Sequence, residues 1–149
     1  MKYFHGTKDG SFKTLMRNQA YTSPGVAVPE LETRNAIYLT PSYEFALAQA
    51  VKTQGVTKIG YTGHRIVLDM SLYNPEQEVY VYEIDSEVID SLPKEKITIS
   101  PDGYQYVIDA NELPILHRHV CKAEEVEQYY KLVDWKEYER EKDSGLKVK

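Results

Sequence analysis

Cysteine is almost missing from this chain: Cys121 stands alone among 149 residues, which excludes an internal disulfide and any multi-cysteine metal site. Set in an apolar run, it reads as a small buried hydrophobe rather than a redox centre. No stretch of 18 or more apolar residues occurs, so no segment reads as a membrane-spanning helix. Met1 to Gly6 has neither the apolar core nor the small-residue cleavage site of a secretory signal. The expectation is a cytoplasmic protein, or one delivered to a host cell by a route the sequence does not display. Positive charge is in deficit as well. Against 23 Asp and Glu stand 18 Lys and Arg, a formal net charge of −5, and no basic cluster with interleaved aromatics offsets it. General nucleic-acid binding is therefore not expected.

Tyrosine is plentiful instead, with 13 copies; its flat ring and polar tip suit strands, interfaces and ring-shaped ligands alike. The length fits a single domain over residues 1–149, with a frayed tail after about residue 143. Lys2 to His5 reads as a strand stopped by Gly6. Residues 12–18 read as a short helix, followed by a long loop broken by Ser23-Pro24-Gly25 and Pro29. Ala36 to Leu39 is a second strand, which Thr40-Pro41-Ser42 turns into a helix over residues 43–52 with a hydroxyl as its cap. Further strands are expected at residues 65–68, 79–84, 96–99, 104–108 and 114–120. A short helix capped by Asp85 or Ser86 runs to Leu92, and a charged amphipathic helix closes the chain over residues 122–142. Strands separated by turns rather than by regular helices argue for an α+β fold with mostly antiparallel pairing.

Two segments carry a resemblance. Tyr3-Phe4-His5-Gly6-Thr7, and some thirty residues later Ala36-Ile37-Tyr38-Leu39-Thr40-Pro41-Ser42-Tyr43-Glu44-Phe45-Ala46-Leu47-Ala48, resemble the first two motifs of the His-Tyr-acid branch of the ADP-ribosyltransferase superfamily. That branch holds the diphtheria-toxin-like enzymes, the poly(ADP-ribose) polymerase catalytic domain and the rifampin ADP-ribosyltransferases. The resemblance implies split antiparallel sheets with flanking helices and NAD, as substrate, bound in the cleft between them. It also implies mono-ADP-ribosyl transfer to an unidentified acceptor, protein, nucleic acid or small molecule, with release of nicotinamide and no metal.

Cleaving the bond between nicotinamide and ribose builds positive charge on the sugar, so rigid positioning and nearby lone pairs or negative charge matter most. By resemblance, His5 would bind a ribose hydroxyl of the adenosine half, the Gly6 backbone would clasp the nicotinamide amide and Thr7 would steady the turn. Tyr38 would lie against the nicotinamide ring, with Tyr43 covering the other face or lining the wall. The third element departs from the family pattern: where a Glu is expected on a late strand, the match is Gln105. Its amide oxygen accepts hydrogen bonds but carries no charge. Asp85, Glu87 and Asp90, after the strand at 79–84, are the alternative acids; their bland role is helix capping and surface charge. A strand-closing histidine and a strand tyrosine are, singly, ordinary structural residues, and only their joint order points to a nucleotide site.

Other features weigh less. His117 and His119 alternate on a strand, so both face one way, and two imidazoles so placed can share a metal; no Asp, Glu or Cys stands nearby at ligand spacing in the sequence. His64, after Gly60 and Gly63, has no phosphate-loop pattern around it. Two rival readings remain: a catalytically silent module of the same fold that binds nucleotide or a protein partner, and an RNA 2′-phosphotransferase, which shares His-Gly-Thr. The acidic chain and the single residue before the first strand rank the latter last.

Overall fold

The computed structural model describes residues 2–19, 35–51, 58–59, 66–69, 73–101, 103–134, 136–137 and 140. Its strands are β1 (Lys2–Thr7), β2 (Thr14–Met16), β3 (Asn18–Gln19), β4 (Asn35–Leu39), β5 (Lys58–Ile59), β6 (Ile66–Asp69), β7 (Glu78–Asp85), β8 (Ile97–Ile99), β9 (Tyr106–Ile108), β10 (Glu112–Pro114), β11 (His117–Lys122) and β12 (Lys131–Val133). Two α-helices, α1 (Tyr43–Val51) and α2 (Ser86–Asp90), and two short 3-10 turns complete the described elements. The architecture is mixed, with mostly antiparallel sheets and few helices.

Two sheets frame everything else. One has the order β1-β7-β11 and the other β3-β4-β9-β8, all neighbours antiparallel. They meet at a single bridge, where Phe4 and Thr40 exchange both backbone hydrogen bonds (2.7 and 2.9 Å). β7 is the central strand of the first sheet and its residues from Val79 to Glu83 are buried apart from Tyr80, which is why Val79-Tyr-Val-Tyr-Glu-Ile reads as strand on either face. One face, through Val79, Val81 and Cys121, packs under α1; the other, through Tyr3, Tyr82 and Ile84, packs on Ile37, Leu39, Ile108 and Leu113.

Ser42 starts α1 by accepting a hydrogen bond from the Phe45 amide on Oγ at 3.1 Å, a cap that contributes about 1 kcal/mol. Ala46 and Ala50 are the residues that cross Gly6 of β1. A Cβ built on Gly6 would stand 1.8 Å from the Ala46 carbonyl oxygen and 3.1 Å from the Ala50 nitrogen. Three small residues at one crossing thus bring helix and strand backbones into direct contact.

Three expectations need correction. Residues 12–18 do not form a helix: Leu15 is buried between partly exposed Thr14 and exposed Met16, a two-residue alternation that pairs β2 with β10. The helix expected over 122–142 does not form over the described residues 122–134. Ala123–Gln128 is a 3-10 turn, after which strand-forming Leu132 and Val133 pair in parallel with β6; Tyr130 is buried while Tyr129 stays 42% exposed, so the tyrosines do not share a helical stripe. The strand expected over 114–120 is two, β10 and β11, parted by Ile115 and Leu116. Lys52, Arg65, the loop beyond Gln19 as far as Arg34, His64 with its neighbouring glycines, and the tail lie outside the described residues. No described helix is long and apolar enough to cross a membrane.

Candidate functional site at the seam between two sheets

The bridge at Phe4 and Thr40 decides where the polar backbone of β1 points. In an antiparallel ladder alternate residues turn their N–H and C=O to opposite neighbours. Phe4 turns both toward β4, so Gly6, two residues on, turns both the same way. There the ladder has already parted. Among the described residues Gly6 makes no backbone hydrogen bond to β4, and His5 supplies the link there: its Nδ1 lies 2.8 Å from the Tyr38 carbonyl oxygen. A carbonyl only accepts, so Nδ1–H donates and Nε2 keeps its lone pair. Burial pushes the His5 imidazole below its ordinary value, with the Tyr38 hydrogen bond pulling the other way. The ring therefore sits neutral at pH 7, an acceptor held at the split with its orientation fixed.

Register places the remaining residues. Tyr38 pairs with Val107 and Leu39 with Tyr106; the ladder ends there, with Gln105 just before β9. Directly paired residues share a face; through the Phe4–Thr40 bridge, Tyr38 and Thr40 lie on the side of Phe4. Gln105 is anchored through its backbone, its N–H donating to Ser100 Oγ at 3.0 Å and its carbonyl accepting from the Ser100 amide at 2.8 Å. The structure thus brings His5, Gly6 and Tyr38 to one seam, while the backbone hydrogen bonds of Gln105 are to Ser100.

Thr7 Oγ1 accepts from the Asp9 amide at 3.1 Å, and Asp9 Oδ1 accepts from the Ser11 amide at 2.9 Å and from its hydroxyl at 2.6 Å. This turn is tied to the sheet from outside. Buried Tyr82 donates its hydroxyl to the Asp9 carbonyl at 2.9 Å and accepts from the Phe12 amide at 3.2 Å. Arg118 donates to the Gly10 carbonyl and lies 5.4 Å over the Tyr80 ring. Sequence reading missed this clamp, because its parts come from three separate strands and turns.

The other candidates stand elsewhere. Asp85 pairs with Lys2 at the far end of the β1–β7 ladder from Gly6, and its Oδ1 caps α2 by accepting from the Glu87 amide at 3.0 Å. Glu87 and Asp90 are exposed on that short helix. Four strand steps run from Lys2 to Gly6, about 13 Å, so Asp85 at that end stands away from the seam. Tyr43 is engaged on the other side of Phe4: its hydroxyl donates to Glu125 Oε1 at 2.9 Å, with Cys121 Sγ at 3.1 Å. Burial and the neighbouring Glu125 carboxylate push that phenol far up, and burial pushes the Cys121 thiol up.

A carboxylate that sequence reading did not single out lies beyond Tyr43. Glu83, 5% exposed, holds the His119 ring through Oε1 at 2.9 Å and Lys2 Nζ through Oε2 at 3.1 Å. Its signal was present: Glu83 shares strand parity with Val79 and Val81, which puts an acid on an apolar face. Hydrogen bonding from His119 and then Lys2 holds its carboxyl below the ordinary 4.5, against the opposing effect of burial. A depressed folded value stabilises the fold above the unfolded pKa and loses that contribution as pH falls through the folded one. Glu83→Gln should therefore melt below the native chain at pH 7, and the gap should narrow in melting curves taken below about 4.5. A gap unchanged at pH 3 would mean that the charge of Glu83 contributes nothing.

Among the described residues no group of three or more His, Cys, Asp or Glu side chains is arranged to hold a metal ion. No protein-family model, curated protein or solved structure matches the chain.

Proposed function

We propose that the seam is an NAD site in an ADP-ribosyltransferase-like fold, and that the protein transfers a single ADP-ribosyl group from NAD to an acceptor, releasing nicotinamide. The observation that carries this reading is the parting of β1 from β4 at His5 and Tyr38. Among the described residues it leaves the N–H and C=O of Gly6 side by side with no backbone partner on β4, one donor and one acceptor at the spacing a primary carboxamide needs. His5 Nε2 offers an acceptor for a ribose hydroxyl, and Tyr38 supplies the carbonyl that fixes the His5 ring. Rigidity supports the same reading, since the turn after Thr7 is pinned by Tyr82 and Arg118 and bond cleavage in a strained dinucleotide depends on fixed geometry.

A second reading, a silent nucleotide-binding module, is favoured by one observation: the side chain at the acid's position is neutral Gln105, while Asp85 is occupied as a helix cap. Both readings require binding. NAD at 100-fold over its dissociation constant adds about 2.7 kcal/mol to stability, so the melting temperature should rise by several degrees and calorimetry should register heat. Melting curves unmoved by millimolar NAD, ADP-ribose and nicotinamide, with no heat, would overturn the NAD site. Nicotinamide release assayed on the same samples separates transferase from module.

A further inference from the structure

The α1 side of the first sheet carries a second cluster that the NAD reading does not use. His117 and His119 stand on β11 with their rings 4.4 Å apart at 76°. Glu83 of β7 lies directly opposite His117 in register and bonds Nε2 of His119 at 2.9 Å. The carboxylate is nearly closed off, its side chain 7% exposed, whereas His119 is 34% exposed and His117 is exposed. The Tyr43 ring meets His119 edge-on at 5.9 Å, so the imidazole is held from two directions.

We propose that His117 and His119 form a binding site for a divalent transition-metal ion of the zinc class, with Glu83 as the carboxylate behind it. The chemistry follows from the hydrogen bond. An ionised carboxylate accepts, so His119 Nε2–H donates to Glu83, which leaves Nδ1 as the nitrogen available to a metal. A ligating histidine ordinarily gives its other N–H to such a partner, which fixes the tautomer and raises the ring's basicity. Two imidazoles bound to one ion at about 2.1 Å per bond stand with ring centres about 5 Å apart, close to the observed 4.4 Å. Two side chains and water would complete the coordination, since among the described residues no third ligand joins them. Imidazole nitrogen selects zinc, nickel and copper over magnesium or calcium. The site lies across Tyr43 and Phe4 from the seam and does not depend on the NAD reading.

The test is calorimetric titration of the whole chain, stripped with a chelator, with zinc chloride at pH 7.5. The expected result is about one equivalent bound with a micromolar dissociation constant, His117→Ala and His119→Ala each weakening binding by roughly 10-fold or more. Glu83→Gln should weaken it by about 10- to 100-fold, which separates a built site from two surface histidines that happen to be neighbours. His117 is exposed and its variant keeps the fold, so the proposal stands or falls on it even where Glu83→Gln fails to fold. No heat at 100 μM zinc overturns the site; so does undiminished binding by His117→Ala or by a folded Glu83→Gln. Loss of binding in Cys121→Ala with the histidine variants unaffected overturns it equally, by assigning the metal to the thiol.

Discussion

Gly6→Ala is expected to remove much of the protein's stability, by about 3 kcal/mol or more, because the atoms in the way cannot yield. The added methyl would lie 1.8 Å from the Ala46 carbonyl oxygen, 2.7 Å from its carbon and 3.1 Å from the Ala50 nitrogen. All three belong to the helix backbone. Overpacking costs about 1–3 kcal/mol where side chains can shift; here α1 as a whole would have to lift off β1, uncovering Val79 and Val81 beneath it. A domain with a stability of roughly 5–15 kcal/mol tolerates such a loss poorly. Urea denaturation measures it, and a cost below about 1 kcal/mol would mean that the helix moves away freely. Gly103→Ala is the control. Gly103 has φ +78 and nothing within 4 Å of a Cβ, so its cost is conformational and about 1 kcal/mol. Because Gly6→Ala acts through the helix, loss of NAD binding in that variant says nothing about a nicotinamide clasp; variants at Tyr38 and Gln105 carry that question.

The legible parts of the chain are those in which local chemistry and tertiary packing agree. Leu39 to Val51 carries a strand, a proline turn, a hydroxyl cap and an apolar helix face in sequence, and the structure follows each step. His5, Gly6 and Tyr38 come together because the segments bearing them are the two strands that meet at the bridge. Illegible parts depend on distant partners. Leu15 is a strand residue because β10 supplies an edge nearly a hundred residues later; alone, Phe12 to Asn18 has no period to show. Gln128-Tyr129-Tyr130-Lys131-Leu132-Val133 sits amid helix-forming Glu and Lys, yet β6 draws its end into a parallel pair. Asp85 illustrates the opposite case, since the same carboxylate reads as catalytic acid or helix cap, and only its distance from Gly6 along the ladder separates the two. Glu83 was hidden by a similar economy: the sequence shows a charged residue in a strand, and the neighbouring strand that brings His119 to it lies 36 residues away.

Gln105→Glu is expected to produce the largest gain of function open to this chain. The Gln105 backbone is already held by Ser100, so the substitution exchanges an amide for a carboxylate of the same length without disturbing the strand. On the proposed reading it sets negative charge beside the ribosyl cation as that cation develops. One well-aimed charged or hydrogen-bonding group in a water-poor site alters rate by about 10²–10³, so nicotinamide release from NAD should rise on the order of 100-fold, with NAD affinity little changed. Gln105→Ala should lower whatever release the native chain shows. Asp85→Asn should leave release unaltered, since an asparagine oxygen still caps α2. The measurement is nicotinamide produced over time, with the dissociation constant for NAD determined in parallel by calorimetry. If the charged variant binds NAD as the native chain does and still releases no nicotinamide with protein, nucleic-acid and small-molecule acceptors supplied, Gln105 is not the acid's position and the protein is a binding module. If release instead collapses in Asp85→Asn, Glu87→Gln or Asp90→Asn while the Gln105 variants behave as the native chain, the acid comes from the far end of the ladder, and the seam would have to close over about 13 Å to be the active site.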